Sequence, residues 1–172
     1  MSKGYVQVYT GNGKGKTTAA LGLAMRAAGA GMRVFIGQFV KGMDYSELHS
    51  FAKLSDQITL KQFGRRCFIR NEPEMDDVLV ARQGLDEVRR AVASGEYGLV
   101  IMDEANIATY YNLFSVDELL EIIDTKPEHV ELVITGRYVD DRIVERADLV
   151  TEMREVKHYY TQGVLARAGI ES

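Results

Sequence analysis

Thr10-Gly11-Asn12-Gly13-Lys14-Gly15-Lys16-Thr17-Thr18 follows an apolar run, Tyr5–Tyr9, and leads into an alanine-rich run that extends to Ala28. A strand, a glycine-rich turn and a helix in that order form the context of a phosphate-binding loop (P-loop), and Gly15-Lys16-Thr17 matches the core of that motif. The chemistry needs these residue types. Glycines let backbone N–H groups turn toward phosphate oxygens. Lys16 supplies a mobile positive charge, and the Thr17 hydroxyl suits Mg²⁺. The helix that follows aims the positive end of its dipole at the anion. The full motif has glycine five residues before Gly15, where this chain has Thr10, and Lys14 adds a second charge inside the loop. The whole stretch, Thr10 to Thr18, is therefore expected to bind a triphosphate such as that of ATP, along a path that need not match common kinases or GTPases.

Outward from the loop, strands and helices alternate. Tyr5–Tyr9 reads as a strand, and Thr17–Ala28 as a helix that Gly29 to Gly31 ends. Val34–Phe39 is nearly all apolar, as in a buried parallel strand. Tyr45–Leu54 suggests a short helix and Ile58–Phe63 a third strand, with a loop over Gly64–Pro73. In Glu74–Ala93, Val78, Ala81, Leu85, Val88 and Val92 step by three and four and draw one helical stripe. Leu99–Met102 reads as a strand. Ser115-Val116-Asp117-Glu118 is a capping box that starts another helix. Val130–Thr135 is a buried strand, Asp140–Ala147 a short helix and Leu149–Met153 a last strand. No clear period runs through the tail from Glu155. This alternation predicts one α/β domain over 1–172, with a mostly parallel sheet covered by helices on both faces and a ligand at the carboxyl ends of the strands.

The other candidates fall at those ends. Leu99-Val100-Ile101-Met102 delivers Asp103-Glu104, and an apolar strand carrying a carboxylate beside a P-loop is what Mg²⁺–nucleotide binding requires. Asp103 or Glu104 is expected to ligate the metal, directly or through water. Without the loop, the pair would read as a solvated strand end. Gln38, Lys41 and Arg137 come at strand ends on the same side, and Arg137 is placed to pair with a phosphate oxygen. Each also has a plain reading as an exposed residue. Arg26, within the first helix, is a further nucleotide-binding candidate whose plainer reading is a salt bridge or a solvated face. His49, His129, His158 and Cys67 are dispersed and show no metal-ligand spacing.

Composition narrows the function classes. The 172 residues suffice for one self-supporting core. A single cysteine excludes an intrachain disulfide and suits a reducing, cytoplasmic compartment. No apolar run approaches the roughly 20 residues of a membrane span. The net charge of −4 gives no general electrostatic reason to bind nucleic acid.

The loop also resembles the variant P-loop of the ATP-dependent corrinoid adenosyltransferases, in which the departure at Thr10 is part of the pattern. The likeness continues through Gln38-Phe39-Val40-Lys41-Gly42, Asn71-Glu72-Pro73, Met102-Asp103-Glu104 and Thr135-Gly136-Arg137. Beyond those come Ala147-Asp148-Leu149-Val150-Thr151-Glu152-Met153, Val156-Lys157-His158, Gly163-Val164 and Ala168-Gly169-Ile170. Each piece is short, but their number and order span almost the whole chain. The resemblance implies a RecA-like P-loop fold, usually as a homodimer, with ATP lying in reversed polarity. It implies transfer of the 5′-deoxyadenosyl group of ATP to the cobalt of a reduced corrinoid, with triphosphate leaving; a flavoprotein is a candidate electron donor, though the sequence does not name the reductant. Lys16, Thr17, Lys41, Glu104 and Arg137 then serve the leaving group. Phe68 and Ile69, beside Cys67, become candidates for crowding the lower face of the corrinoid.

Two other classes share the loop. A P-loop kinase or ATPase would yield ADP and phosphate instead of triphosphate. A non-enzymatic ATP-dependent switch also fits the loop, whereas a RecA-like nucleic-acid binder would need a basic, aromatic surface that the sequence does not display.

Overall fold

The structure, a computed structural model, describes residues 3–65 and 72–171. Cys67, Phe68 and Ile69, and with them the expected corrinoid-crowding loop, lie outside the described residues.

Strand β1 (Val6–Thr10) passes through the glycine-rich turn into α1 (Lys16–Gly29). β2 (Val34–Phe39), α2 (Ser46–Ala52), β3 (Ile58–Phe63), α3 (Met75–Ser94) and β4 (Leu99–Asp103) follow. The chain continues through α4 (Ala105–Tyr110), α5 (Val116–Thr125), β5 (Glu131–Thr135), α6 (Asp141–Arg146) and β6 (Leu149–Glu152). A 3-10 turn, Tyr159–Gln162, lies in the tail. The strands form one sheet in the order β3-β2-β4-β5-β1-β6, and every pairing is parallel.

Alternation along the strands divides the core in two. Val100 and Met102 of β4 join Phe35, Leu132 and Ile134 on the face covered by α3, α4, α5 and α6. Leu99 and Ile101 join Val34, Ile36 and Val133 on the face covered by α1 and α2. Two-residue periodicity sends neighbours to opposite faces, so a strand buried on both sides must be apolar throughout. On α1, Ala20, Ala24, Ala27 and Ala28 turn inward, and these small side chains let the helix sit close to the sheet. Because β1 lies between β5 and β6 while β2 lies beyond β4, α1 crosses β5 and β4 on its way. That crossing sets the start of α1 over the carboxyl end of β4.

α3 begins at a capping box between Glu74 and Asp77 and ends at Gly95, whose φ of 65° is left-handed. Its Gly84 meets Phe63 of β3: a Cβ there would stand 2.3 Å from Phe63 Cγ. The Ser115–Glu118 box starts α5 as the sequence predicts, with Ser115 Oγ accepting from the Glu118 amide. Helix α4 is an element the sequence reading does not contain. It spans only six residues and follows directly on the strand without a capping signature.

Candidate functional site

Three strands supply the floor of the site in register. Gln38 of β2 stands opposite Asp103 of β4 and also opposite Gln62 of β3. Each position continues an apolar row on the α1 side: Val34 and Ile36 before Gln38, Leu99 and Ile101 before Asp103, Val133 before Thr135. At the carboxyl ends these rows turn polar while remaining buried, for Gln38, Asp103 and Thr135 are all fully enclosed. A buried polar group is costly unless paired, so these three need partners.

The partners converge on Asp103. Its Oδ1 accepts from Thr17 Oγ1 at 2.8 Å and from Thr135 Oγ1 at 2.7 Å. Oδ2 accepts from Lys41 Nζ at 2.8 Å and from Gln38 Nε2 at 3.3 Å. Lys41 Nζ also lies 3.4 Å from Thr17 Oγ1, so an ammonium bridges the loop hydroxyl and the strand carboxylate. Burial disfavours the charged form of Lys41, but Asp103 outweighs it, with help from Glu104 and Glu47, and the pKa is held above its ordinary value. Gln38 extends the network to Glu47 and Gln62. A cavity lined by Gly42, Met43, Asp44, Leu48 and Gln62 opens beside it.

Glu104 leaves the strand differently from Asp103. Its φ is 60°, and its amide donates to Thr135 Oγ1 at 3.0 Å. Burial, then the neighbouring Asp103, pushes its carboxyl pKa up against the pull of Lys41, Lys16 and Arg137. Lys16 is buried, and Nζ donates to the carbonyls of Gly11 and Gly13, both at 2.8 Å. Burial lowers its pKa, Glu104 and Asp103 oppose that, and Arg137 adds to it. Arg137 itself is exposed, within electrostatic reach of both Lys16 and Glu104.

The loop is stitched to the end of β6. Gly13 N–H donates to Met153 O at 2.7 Å, and Met153 N–H donates to Thr10 O at 2.8 Å. The reason for glycine at positions 11 and 13 follows from this contact: a Cβ would meet Met153 O at 2.4 and 2.7 Å respectively. The Gly13 amide is thus engaged by the protein itself, in contrast to the expectation that loop amides face phosphate. Lys14 Nζ likewise reaches the tail, donating to Ile170 O at 3.2 Å. Asn12 and Thr18 are exposed on the loop and first helical turn. Gly15 caps α1 with φ 121°.

Of the predicted residues, the structure gathers Thr10 to Thr18, Gln38, Lys41, Asp103, Glu104 and Arg137 at one end of the sheet. Arg26 stands apart, exposed ten residues into α1 and near Tyr9, roughly 15 Å along the helix from Lys16. Its plainer reading as a solvated helix residue fits that position. Sequence reasoning omitted Thr135, which ties Asp103 to the Glu104 amide. It also omitted Asn106, whose Nδ2 donates to Gly136 O at 3.2 Å and whose Oδ1 has no partner among the described residues. Both follow from which strands are neighbours, and no sequence motif records that.

Among the described residues no group of three His, Cys, Asp or Glu side chains stands ready for a metal. What the site offers is the Thr17 hydroxyl and the Asp103 carboxylate, hard oxygens that already converge on the Lys41 ammonium, with the Glu104 carboxylate within electrostatic reach. Such a partial set fits Mg²⁺, which takes one or two carboxylates and completes its shell with water and phosphate.

Fold and site together define an α/β nucleotide-binding protein of the P-loop class with a RecA-like parallel sheet. A family model described as ATP:corrinoid adenosyltransferase BtuR/CobO/CobP matches residues 2–172, and the chain belongs to that family. It is similar to the corrinoid adenosyltransferase of Pseudomonas aeruginosa, 33% identical over 170 residues that cover 98% of this chain and 84% of that protein. The corrinoid adenosyltransferase of Escherichia coli is likewise 33% identical, over 98% of this chain and 86% of its own. So is the corrinoid adenosyltransferase CobA of Salmonella typhimurium, 33% identical over 98% of this chain and 86% of that protein.

Proposed function

We propose that this chain transfers the 5′-deoxyadenosyl group of ATP to the cobalt of a reduced corrinoid, in the making of adenosylated cobalamin. Family membership across residues 2–172 supports the reaction. The convergence of Thr17, Lys41 and Asp103 supports the place where the triphosphate is held. Cobalt(I) attacks C5′ with its own electron pair, the C5′–O bond breaks, and triphosphate departs with the bonding electrons. No proton leaves the nucleophile, so no general base is required. The corrinoid brings the difficult chemistry, and the protein orients C5′ and stabilises the leaving anion.

Lys16, Lys41 and Arg137 supply positive charge for that anion. Thr17 with Asp103 and Glu104 would hold Mg²⁺, which when bound neutralises phosphate charge. The loop from Thr10 to Thr18 supports the nucleotide, and Gln38 keeps Asp103 in place. One sheet shared by both apolar cores supports a single domain over 1–172. A homodimer rests on the family resemblance, and Leu149 and Val150, exposed on edge strand β6, offer apolar surface for it. A flavoprotein electron donor rests on the resemblance alone. The lone cysteine suits a reducing cytoplasm. No described helix is long and apolar enough to cross a membrane.

The test is to mix protein, Mg-ATP and chemically reduced cob(I)alamin anaerobically, follow the visible spectrum and identify the released phosphate. Cobalt–carbon product with equimolar triphosphate is the expected result. ADP and phosphate without alkylated corrinoid would replace this reading with that of an ATPase.

A further inference from the structure

Four non-glycine residues among those described have left-handed φ: Val40, Glu104, Asn112 and Tyr138. Three of them sit at the site, since Val40 precedes Lys41, Glu104 is itself a site residue and Tyr138 follows Arg137. A bulky residue held in this conformation is an outlier, and such strain persists where the surroundings fix it. At Tyr138 the surroundings include a second aromatic ring. Tyr110, the last residue of α4, stacks on it with centroids 4.4 Å apart and planes 30° from parallel. Tyr111 meets Tyr110 edge-on at 5.4 Å and packs against the core. Yet Tyr110 and Tyr138 remain 54% and 55% exposed, and neither hydroxyl makes a hydrogen bond among the described residues.

The pair stands at the rim of the phosphate-binding end. α4 begins directly after Glu104, and Arg137 is the residue before Tyr138. Two stacked rings whose outer surfaces meet solvent, with free hydroxyls, suit a flat, largely apolar ring system with polar groups at its edge. We propose that Tyr110 and Tyr138 form a ledge that receives the corrin macrocycle, one face or edge of the ring lying on the aromatic surface. This rests on the adenosyl-transfer reading, which requires the macrocycle to lie beside the nucleotide. A corrin is planar at its centre and carries amide side chains at its rim. The aromatic rings match the first property, and the phenolic hydroxyls match the second.

The ledge is tested with the double variant Tyr110→Ala with Tyr138→Gly, the glycine keeping the left-handed backbone without strain. A second variant, Tyr110→Phe with Tyr138→Phe, keeps both rings. In the anaerobic assay the first variant should raise the corrinoid KM about tenfold, the scale of losing stacking on aromatic side chains. The ATP KM, and kcat at saturating corrinoid, should stay within twofold for the alanine–glycine variant, and the corrinoid KM of the phenylalanine variant, which loses only the hydroxyls, should fall between those of wild type and the alanine–glycine variant. Equilibrium dialysis with hydroxocobalamin should show the same order of affinities. An unchanged corrinoid KM, or an equal rise in the ATP KM, would overturn the ledge, the latter assigning the rings to adenine. If wild type fails to alkylate cobalt, that failure belongs to the reaction, and dialysis still decides the ledge. Equal hydroxocobalamin affinity in wild type and the alanine–glycine variant, or binding by neither, would reject it.

Discussion

Replacing Lys41 with methionine removes a buried charge from a carboxylate that cannot reach water. The Asp103 side chain is 0% exposed and that of Lys41 15%, with Nζ and Oδ2 2.8 Å apart. After Lys41→Met, Asp103 keeps the hydroxyls of Thr17 and Thr135 and the more distant Gln38 amide. Breaking one side of a buried pair costs about 3–5 kcal/mol, and the three surviving donors point to the lower end, ~3 kcal/mol. At about 2–4 °C per kcal/mol for a chain of this length, the melting temperature should fall by ~6–12 °C. The sign with pH is fixed by the raised Lys41 pKa. A lysine held above its ordinary 10.5 contributes stability that is complete below that value. The contribution is lost only as pH rises through the higher folded value. Urea denaturation at neutral pH, without nucleotide or metal, therefore reads the whole effect. Adding Asp103→Asn to Lys41→Met removes the stranded charge and should recover part of the loss. A single variant within about 0.5 kcal/mol of wild type, the range of ordinary surface changes, would refute the buried pair as a stabilising contact. So would a double variant less stable than the single one.

Lys16→Ala should lower kcat/KM for ATP by at least about 10²-fold, the scale of losing one charge-stabilising donor, and near wild-type turnover would reject the loop assignment. Gly84→Ala improves helix propensity by about 1 kcal/mol but drives a Cβ to within 2.3 Å of Phe63 Cγ. Overpacking costs about 1–3 kcal/mol, so the variant should melt below wild type, and a higher melting temperature would contradict the close contact of α3 with β3. The Glu118 carboxyl is held below its ordinary 4.5, chiefly by the Ser115 backbone amide, then by the Ser115 hydroxyl and Arg82, against burial. A depressed carboxyl pKa gives stability that is present above 4.5 and lost as pH falls through the lower folded value. The stability gap between wild type and Glu118→Gln should therefore shrink on acidification, and a gap independent of pH would exclude the ionised cap as its source.

Much of the fold was legible because burial on both faces writes itself into the strands. Val34–Phe39 and Ile58–Phe63 have the predicted bounds: the first is a mostly apolar run buried throughout, the second sets Ile58, Leu60 and Phe63 among polar residues, and turn residues follow both. α4 was not legible, because six residues after a left-handed Glu104 carry too short a period to stand out. The nucleotide end of the site was legible for the same reason the loop is a motif: its residues are neighbours in sequence. Thr135 was not, because its bond to Asp103 exists only through the adjacency of β4 and β5, and sequence order does not state adjacency. Nor does sequence separate the roles of Asp103 and Glu104. The strand carries the first into the α1 face, while φ 60° turns the second out of the strand.

Lys16 and Lys41 meet a triphosphate on unequal terms. Lys16 donates to two carbonyls of its own loop, and both are neutral acceptors. A phosphate oxygen is charged and makes the shorter, stronger bond, so exchange from carbonyl to phosphate favours the nucleotide. Lys41 donates to a carboxylate, so moving its ammonium to phosphate exchanges one anion for another and leaves Asp103 buried without a counter-ion. That loss is of the order argued above for Lys41→Met, and no single phosphate contact offsets it. Lys41 can therefore turn toward the leaving group only when another cation satisfies Asp103 and Thr17. The oxygens that hold Lys41 are the hard donors Mg²⁺ uses, so on the proposed reading a metal bound there would compete with the ammonium for one position. Occupancy of that position by the metal would release Lys41 toward the triphosphate, which joins metal binding to the assembly of positive charge around the departing anion.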